Sequence, residues 1–214
     1  MTRIKVLGGT GYAGGAVVAE AVRRGHTVTS CSWRPPAQPV DGVVHVTGSL
    51  LDPELLATTT ADVDVVFETV SPRGDMAGEV EGLVERLCDL GEEAQVRLGV
   101  LGGASSLLVC EGGLRLFDVV ETRPEILPEV RTGMATLEFL QNAPASLDWF
   151  YISPPVRFGA WEEQIVTGAY RLSDDVLLKD DAGDSYISAA DLAVAVVDEI
   201  EQPRHHRRRF HVAH

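Results

Sequence analysis

The sequence predicts an α/β fold, a doubly wound parallel sheet carrying a small elaborated C-terminal region. Three observations point there. Short β-branched or apolar runs alternate with helix-like stretches through the first half of the chain, the pattern of strands joined by helical crossovers. The run Val63 to Thr69 (VDVVFET) is almost wholly apolar, as a strand covered on both faces should be. The first strand also runs directly into a glycine-rich turn that opens the first helix. With 214 residues and no linker, repeat or low-complexity segment, the chain reads as one domain, residues 1–214.

Arg3 to Leu7 is a buried-strand run ending in glycines. Ala13 to Arg24 follows as a helix packing through Ala16, Val17, Ala19 and Val22, and Gly25 ends it. His26 to Ser32 is a second strand, closed by Pro35 and Pro36, which lack the amide a ladder needs. Val43 to Val46 is a third. Asp52 then caps a short helix with Pro53 at its first position. After the fourth strand, Val63 to Thr69, come a helix from Gly78 to Leu90 and a fifth strand from Val96 to Leu101. Leu107 to Cys110 and Leu114 to Phe117, around Glu111-Gly112-Gly113, suggest a hairpin, and Gly168 to Leu178 a second one. Pro128 to Leu140 is helical, Leu147 to Ser153 is a sixth sheet strand stopped by Pro154-Pro155, and Ala189 to Glu201 is a helix entered from Ser188. Arg209 to Ala213 is the last strand.

Hydrophobic residues at 45% and charged residues at 23% exclude disordered and fibrous classes. No apolar run approaches the roughly 18–20 residues needed to cross a bilayer, and the opening apolar stretch is too short for a signal peptide. A cytoplasmic protein is expected. Cys31, Cys88 and Cys110 are odd in number and widely spaced, which suits reduced thiols rather than disulfides or a metal site. The net charge of −14, with only Lys5 and Lys179 as lysines, repels a phosphate backbone and argues against nucleic acid. A small molecule is the expected partner, with no membrane contact and no signal for the oligomeric state. The basic C-terminus, Arg204 to Arg209 with its histidines, reads either as an anion- or metal-binding tail or as the solvated, acid-paired approach to the last strand; the second is favoured.

The strongest chemical signal is Gly8-Gly9-Thr10-Gly11-Tyr12-Ala13-Gly14, lying between strand and helix. Gly8 suits the tight turn, Gly11 lets backbone approach a pyrophosphate, and Gly14 lets the helix pack close to the strand. This is the arrangement of a Rossmann-type dinucleotide site, and no lysine before Ser or Thr supports a P-loop instead. The second strand ends Thr29-Ser30-Cys31-Ser32-Trp33-Arg34 without the carboxylate that usually holds the ribose of NAD. Arg34 and Ser32 suit a 2′-phosphate, so NADP(H) is preferred, with NAD(H) possible.

The GGTGYAGG opening resembles atypical short-chain dehydrogenase/reductase proteins of the NAD(P)H-binding, NmrA-like kind. So do Val70 to Asp75, Gly102 to Ser106, Asp148 to Pro155 and Asp184 to Asp191, and the nearest group resembles NADH-flavin reductase and biliverdin reductase B-like proteins. The resemblance implies that Gly8, Thr10, Gly11, Tyr12, Ala13 and Gly14 carry the pyrophosphate and Arg34 faces the adenosine ribose. It implies further that Thr69 and Val70 line the cofactor, that Gly103, Ala104 and Ser105 border the nicotinamide, and that Pro154 and Pro155 pack nearby. The region from about residue 154 would contribute to the substrate pocket. Gly48-Ser49 departs from the Gly-Asp of many relatives near the adenine.

Members of that superfamily commonly use Tyr-x-x-x-Lys as a proton-exchanging pair. Here the residues four before Lys5 and Lys179 are Met1 and Asp175, so the pair is absent and alcohol–ketone dehydrogenation loses support. A flat conjugated acceptor such as a flavin can take a hydride without it. Ser105 is the candidate for positioning a carbonyl or a water, or else a turn-forming serine. Trp161 and Phe158 suit stacking on such an acceptor or simple packing, and Arg157 suits an acidic substrate or a salt bridge. His26 and His45 are read as structural. The leading expectation is an NAD(P)H-dependent reductase; the alternatives are a non-catalytic NADP-binding sensor and, less favoured, a nucleotide-sugar epimerase.

Overall fold

Eight strands make one sheet in the order β3-β2-β1-β4-β5-β6-β8-β7 in a computed structural model that describes all of residues 1–214. They are β1 (Arg3–Leu7), β2 (Thr27–Ser32), β3 (Val43–Thr47), β4 (Val65–Glu68), β5 (Arg97–Leu101), β6 (Trp149–Ser153), β7 (Arg171–Ser173) and β8 (Arg208–Ala213). All pairings are parallel except that of β7 with β8. The helices are α1 (Tyr12–Arg23), α2 (Pro53–Ala57), α3 (Val80–Ala94), α4 (Leu116–Val119), α5 (Leu127–Asn142) and α6 (Ala189–Glu201). One apolar cluster joins α1 and α6 to one sheet face through residues such as Val17, Phe67, Phe150 and Val196. A second joins α3 and α5 to the opposite face through Val66, Leu83, Leu140 and Trp149. The sheet is therefore wound on both sides, as apolar strands like β4 require.

Local signals act where expected. Asp52 accepts the Glu54 amide at 3.0 Å and starts α2, and Ser188 accepts the Asp191 amide at 3.0 Å and starts α6. Gly25, with φ +81°, ends α1. Helix α3 runs on to Ala94, past the expected Leu90, and closes on Gln95 in the left-handed region at φ 54°. Ala19 is exposed; Ala13, Gly14, Val18 and Ala21 join Val17 in the buried face instead, with Gly14 set against Gly8 and Thr69.

Of the two expected hairpins, the first forms in miniature and the second is corrected. Around Gly112, Leu108 bridges Arg115 antiparallel, with Val109 N–H donating to Leu114 O at 2.9 Å and Leu116 N–H to Leu107 O at 2.7 Å, before the chain turns into α4. The segment after Gly168 folds no hairpin on itself: Arg171–Ser173 pairs antiparallel with Ala213–His211, capping the sheet edge. The basic C-terminus is spoken for by separate partners. His205 meets Glu199, His206 meets Asp148, Arg208 meets Asp174 and Arg209 meets Asp175, while Arg207 donates to the carbonyls of Ala143 and Leu147. These histidines and arginines diverge and form no tail site.

Candidate active site

The chain leaves β1 where the strand order turns, with β2 on one side and β4 on the other, the place where open α/β sheets bind ligands. Gly8 takes φ +83°, and a Cβ there would stand 2.8 Å from Thr69 Oγ1. A Cβ on Gly14 would stand 2.4 Å from the Gly8 carbonyl oxygen and 2.6 Å from Thr69 Oγ1, so α1 rests directly on the turn. Gly9, unassigned by the motif, is held as tightly: its Cβ would lie 2.4 Å from Ser30 Oγ. Gly11 is exposed, with only the Gly8 oxygen at 3.1 Å from an added Cβ.

Gly11 is the N-cap of α1 and offers no side-chain cap, which leaves the amides of Tyr12, Ala13 and Gly14 without intrahelical acceptors. Neighbouring amides are already used. Gly8 N–H donates to Cys31 O, Gly11 N–H to Gly8 O (both 2.8 Å) and Thr10 N–H to Ser32 Oγ at 3.1 Å. Free donors at the positive end of a helix, beside a surface without side chains, fit a diphosphate. Ser32 is buried, its hydroxyl oxygen accepting the Thr10 amide, while Arg34 is exposed past β2. The Thr69 hydroxyl is likewise committed, donating to Leu7 O at 2.8 Å. The Tyr12 ring packs 5.2 Å from Phe158 and its hydroxyl donates to Gln164, which ties the turn to the loop after β6.

A cavity of about 890 Å³ opens at the carboxyl ends of β4, β5 and β6. Its floor follows from strand register. Glu68, Val100 and Tyr151 stand side by side in one rung on the face that carries α3 and α5. The walls come from Val70 and Arg73 after β4, Gly102 to Ser106 after β5, Pro154 and Pro155 after β6, and Thr132, Gly133 and Thr136 of α5. Phe158 and Trp161 close one side. The structure thus brings Val70, Gly103, Ala104, Ser105, Pro154, Pro155 and Trp161 to one cavity and sets the glycine turn and Arg34 along the same sheet edge. Arg157 does not line the cavity itself: its guanidinium is taken by Asp184 at 3.0 Å and by Glu162, a lining residue, at 2.9 Å. Trp161 is 68% exposed at the mouth, with the Arg73 guanidinium 5.7 Å from its ring centre and Arg73 in turn paired to Glu129 at 2.6 Å.

Two wall residues escaped the sequence reading. Tyr151, fully buried, accepts the Gly103 amide at 3.2 Å and donates to Gly133 O at 2.8 Å, clamping the loop after β5 to α5. Burial pushes its phenol up to about 12. The same ring explains Gly102, where a Cβ would fall 1.7 Å from the phenol. Glu68, 1% exposed, accepts the Val70 amide at 2.5 Å, and burial pushes its carboxyl up to about 8. A carboxylate inside the apolar run VVFET was the available signal.

Comparison with known proteins agrees with this geometry. A family model described as NAD(P)H-binding matches residues 8–203. YwnB, an uncharacterised protein of Bacillus subtilis (strain 168), is 33% identical over 98% of this chain and 97% of its own. Among solved structures, a candidate epimerase from Bacteroides thetaiotaomicron is 30% identical with a TM-score of 0.86, covering 100% of this chain and 97% of its own. A candidate NADH-flavin reductase from Streptococcus pneumoniae is 28% identical with a TM-score of 0.83, covering 100% and 99%. Matched from the glycine turn to the approach of its last strand, the chain belongs to the NAD(P)H-binding family, with a Rossmann-type α/β fold.

Proposed function

We propose that the protein is an NAD(P)H-dependent reductase that passes a hydride to a flat conjugated acceptor, flavin-like in shape, without a Tyr-x-x-x-Lys pair. The observation that carries this reading is a helix start with three free amides on the same sheet edge as an 890 Å³ cavity. The amides of Tyr12, Ala13 and Gly14 would hold the diphosphate, and Gly103, Ala104, Ser105, Pro154 and Pro155 the nicotinamide end. Exposed Arg34 would take a 2′-phosphate, which favours NADP(H) over NAD(H). The bound coenzyme supplies the hydride; the chain supplies orientation and a dry wall.

Phe158 and Trp161 offer flat faces to a planar acceptor, and the Ser105 hydroxyl can orient a carbonyl or a water. The lining carries Glu121, Glu125, Glu129 and Glu162 against Arg73 and Arg123, a balance that favours an uncharged acceptor over a polyanion. We place the reaction in the cytoplasm, where the free cysteines stay reduced; no helix is long and apolar enough to cross a membrane. The test is to mix purified protein with NADPH or NADH and a panel of flavins and quinones. Loss of reduced-nicotinamide absorbance supports the reductase. Tight coenzyme binding with no turnover of any acceptor overturns it in favour of a dinucleotide sensor.

A further inference from the structure

A reduction that adds a hydride to a conjugated acceptor also needs a proton, and the usual tyrosine–lysine pair is missing. The cavity wall narrows the choice of donor. Tyr151 is held by two backbone groups, its hydroxyl already donating to Gly133 O. Glu129 is paired with Arg73 and Glu162 with Arg157, so neither carboxyl is free in the wall. No histidine or lysine lines the cavity. Ser105 has a hydroxyl, which is too weak an acid to protonate an acceptor unaided.

Glu68 differs from all of these. It ends β4 in the floor, flanked by Leu7 on one strand and Val100 on the other, with Val80 of α3 and Thr132 and Thr136 of α5 lining the same space. The Val70 amide reaches one carboxyl oxygen, no cation pairs with either, and the Thr136 hydroxyl is buried without a partner of its own. The titratable and charged groups around this floor are Tyr151 on the same rung and Cys31 beyond Leu7, with Arg73, Glu121, Arg123, Glu125, Glu129 and Glu162 elsewhere in the cavity lining. A carboxyl in this apolar floor is held in its neutral, proton-bearing form up to about pH 8 because burial disfavours the charge.

We propose that Glu68 is the acid of the cavity, giving its proton to an oxygen or nitrogen of a neutral acceptor as the hydride arrives. This rests on the reductase reading above. The Oε–H bond breaks as a bond from that proton to the acceptor forms. The acceptor gains two electrons and two protons in all, the coenzyme is oxidised by two electrons, and water reprotonates the carboxylate. The acceptor is then one that presents a hydrogen-bond-accepting carbonyl or ring nitrogen in the plane of its conjugated system.

Glu68→Gln tests this, since the amide keeps the shape and the oxygen that accepts the Val70 amide but has no acidic proton. Two readouts are needed. In turnover with an acceptor that the wild type reduces, kcat falls on the order of 10²-fold or more. The loss of wild-type activity above about pH 8 also disappears, while coenzyme binding is unchanged. In denaturant unfolding without coenzyme, the wild type loses stability relative to Glu68→Gln as pH rises from the ordinary glutamate range to about 8, then no further. Glu68→Asp, which keeps an acid, retains that pH dependence. A wild type that reduces no acceptor overturns both readings. An active wild type matched by Glu68→Gln in rate and pH profile overturns the acid alone, as does a stability difference that does not change with pH.

Discussion

Neighbouring glycines of α1 should respond oppositely to the same substitution. In Gly14→Ala the new methyl meets the Gly8 carbonyl oxygen at 2.4 Å and the Gly8 carbonyl carbon at 2.9 Å. Both are backbone atoms of the turn, so the helix start must shift away from Gly8. Overpacking of this kind costs about 1–3 kcal/mol, and for a chain of this size each kcal/mol lowers Tm by roughly 2–4 °C. The expected Tm is then about 2–12 °C below wild type. In Gly15→Ala the nearest atom is the Gly9 oxygen at 3.7 Å, ordinary contact. Removing a glycine from the helix there should stabilise by about 0.4–1 kcal/mol. Thermal unfolding followed by circular dichroism reads both variants. A Gly14→Ala protein as stable as wild type, or a Gly15→Ala protein destabilised like it, would refute the close approach of α1 to the turn.

Gly11→Val should lower Tm by a few degrees, since its Cβ would stand 3.1 Å from the Gly8 carbonyl oxygen and valine is a poor N-cap, and it should weaken coenzyme binding by roughly 10²-fold or more by blocking charge-assisted amide contacts of about 1.5–3 kcal/mol each; calorimetric titration with unchanged affinity contradicts it. Arg34→Ala should weaken NADPH far more than NADH, and equal losses in the same titration remove its role. For acid stability, burial pushes Glu199 up, but hydrogen bonds from His205, Arg97 and two backbone amides outweigh this and hold it down at about 2. The unfolded chain therefore binds the extra proton between about pH 4.5 and 2. Stability of about 3 kcal/mol, present above that window, should drain away as pH falls through it. Glu199→Gln should flatten that part of the urea-unfolding pH profile, and an unaltered slope would show that Glu199 is not responsible.

How far the amino-acid pattern reaches depends on whether a feature is local. Asp52 and Ser188 cap helices through amides two and three residues away, so both helix starts were legible. The glycine turn was too, because strand, turn and helix are contiguous. Strand β7 was not: Arg171–Ser173 is short, largely exposed and pairs with a strand about forty residues later, so no alternation marks it. The site divides the same way. Gly8 and Gly14 follow from the motif, but the constraint on Gly9 comes from Ser30 on the next strand. Arg157 looks available in one dimension and is taken by Glu162 and Asp184 in three. Glu68 and Tyr151 become neighbours in function only once β4, β5 and β6 fall into register.

The proposed reductase needs the uncapped start of α1 to receive a nicotinamide coenzyme. Isotope-labelled protein titrated with NADPH and followed by amide NMR tests this directly. The resonances of Tyr12, Ala13 and Gly14 should move saturably, together with Gly103 and Ala104 across the sheet edge. Saturation that leaves the three helix-start amides in place, or an absence of binding, would contradict it.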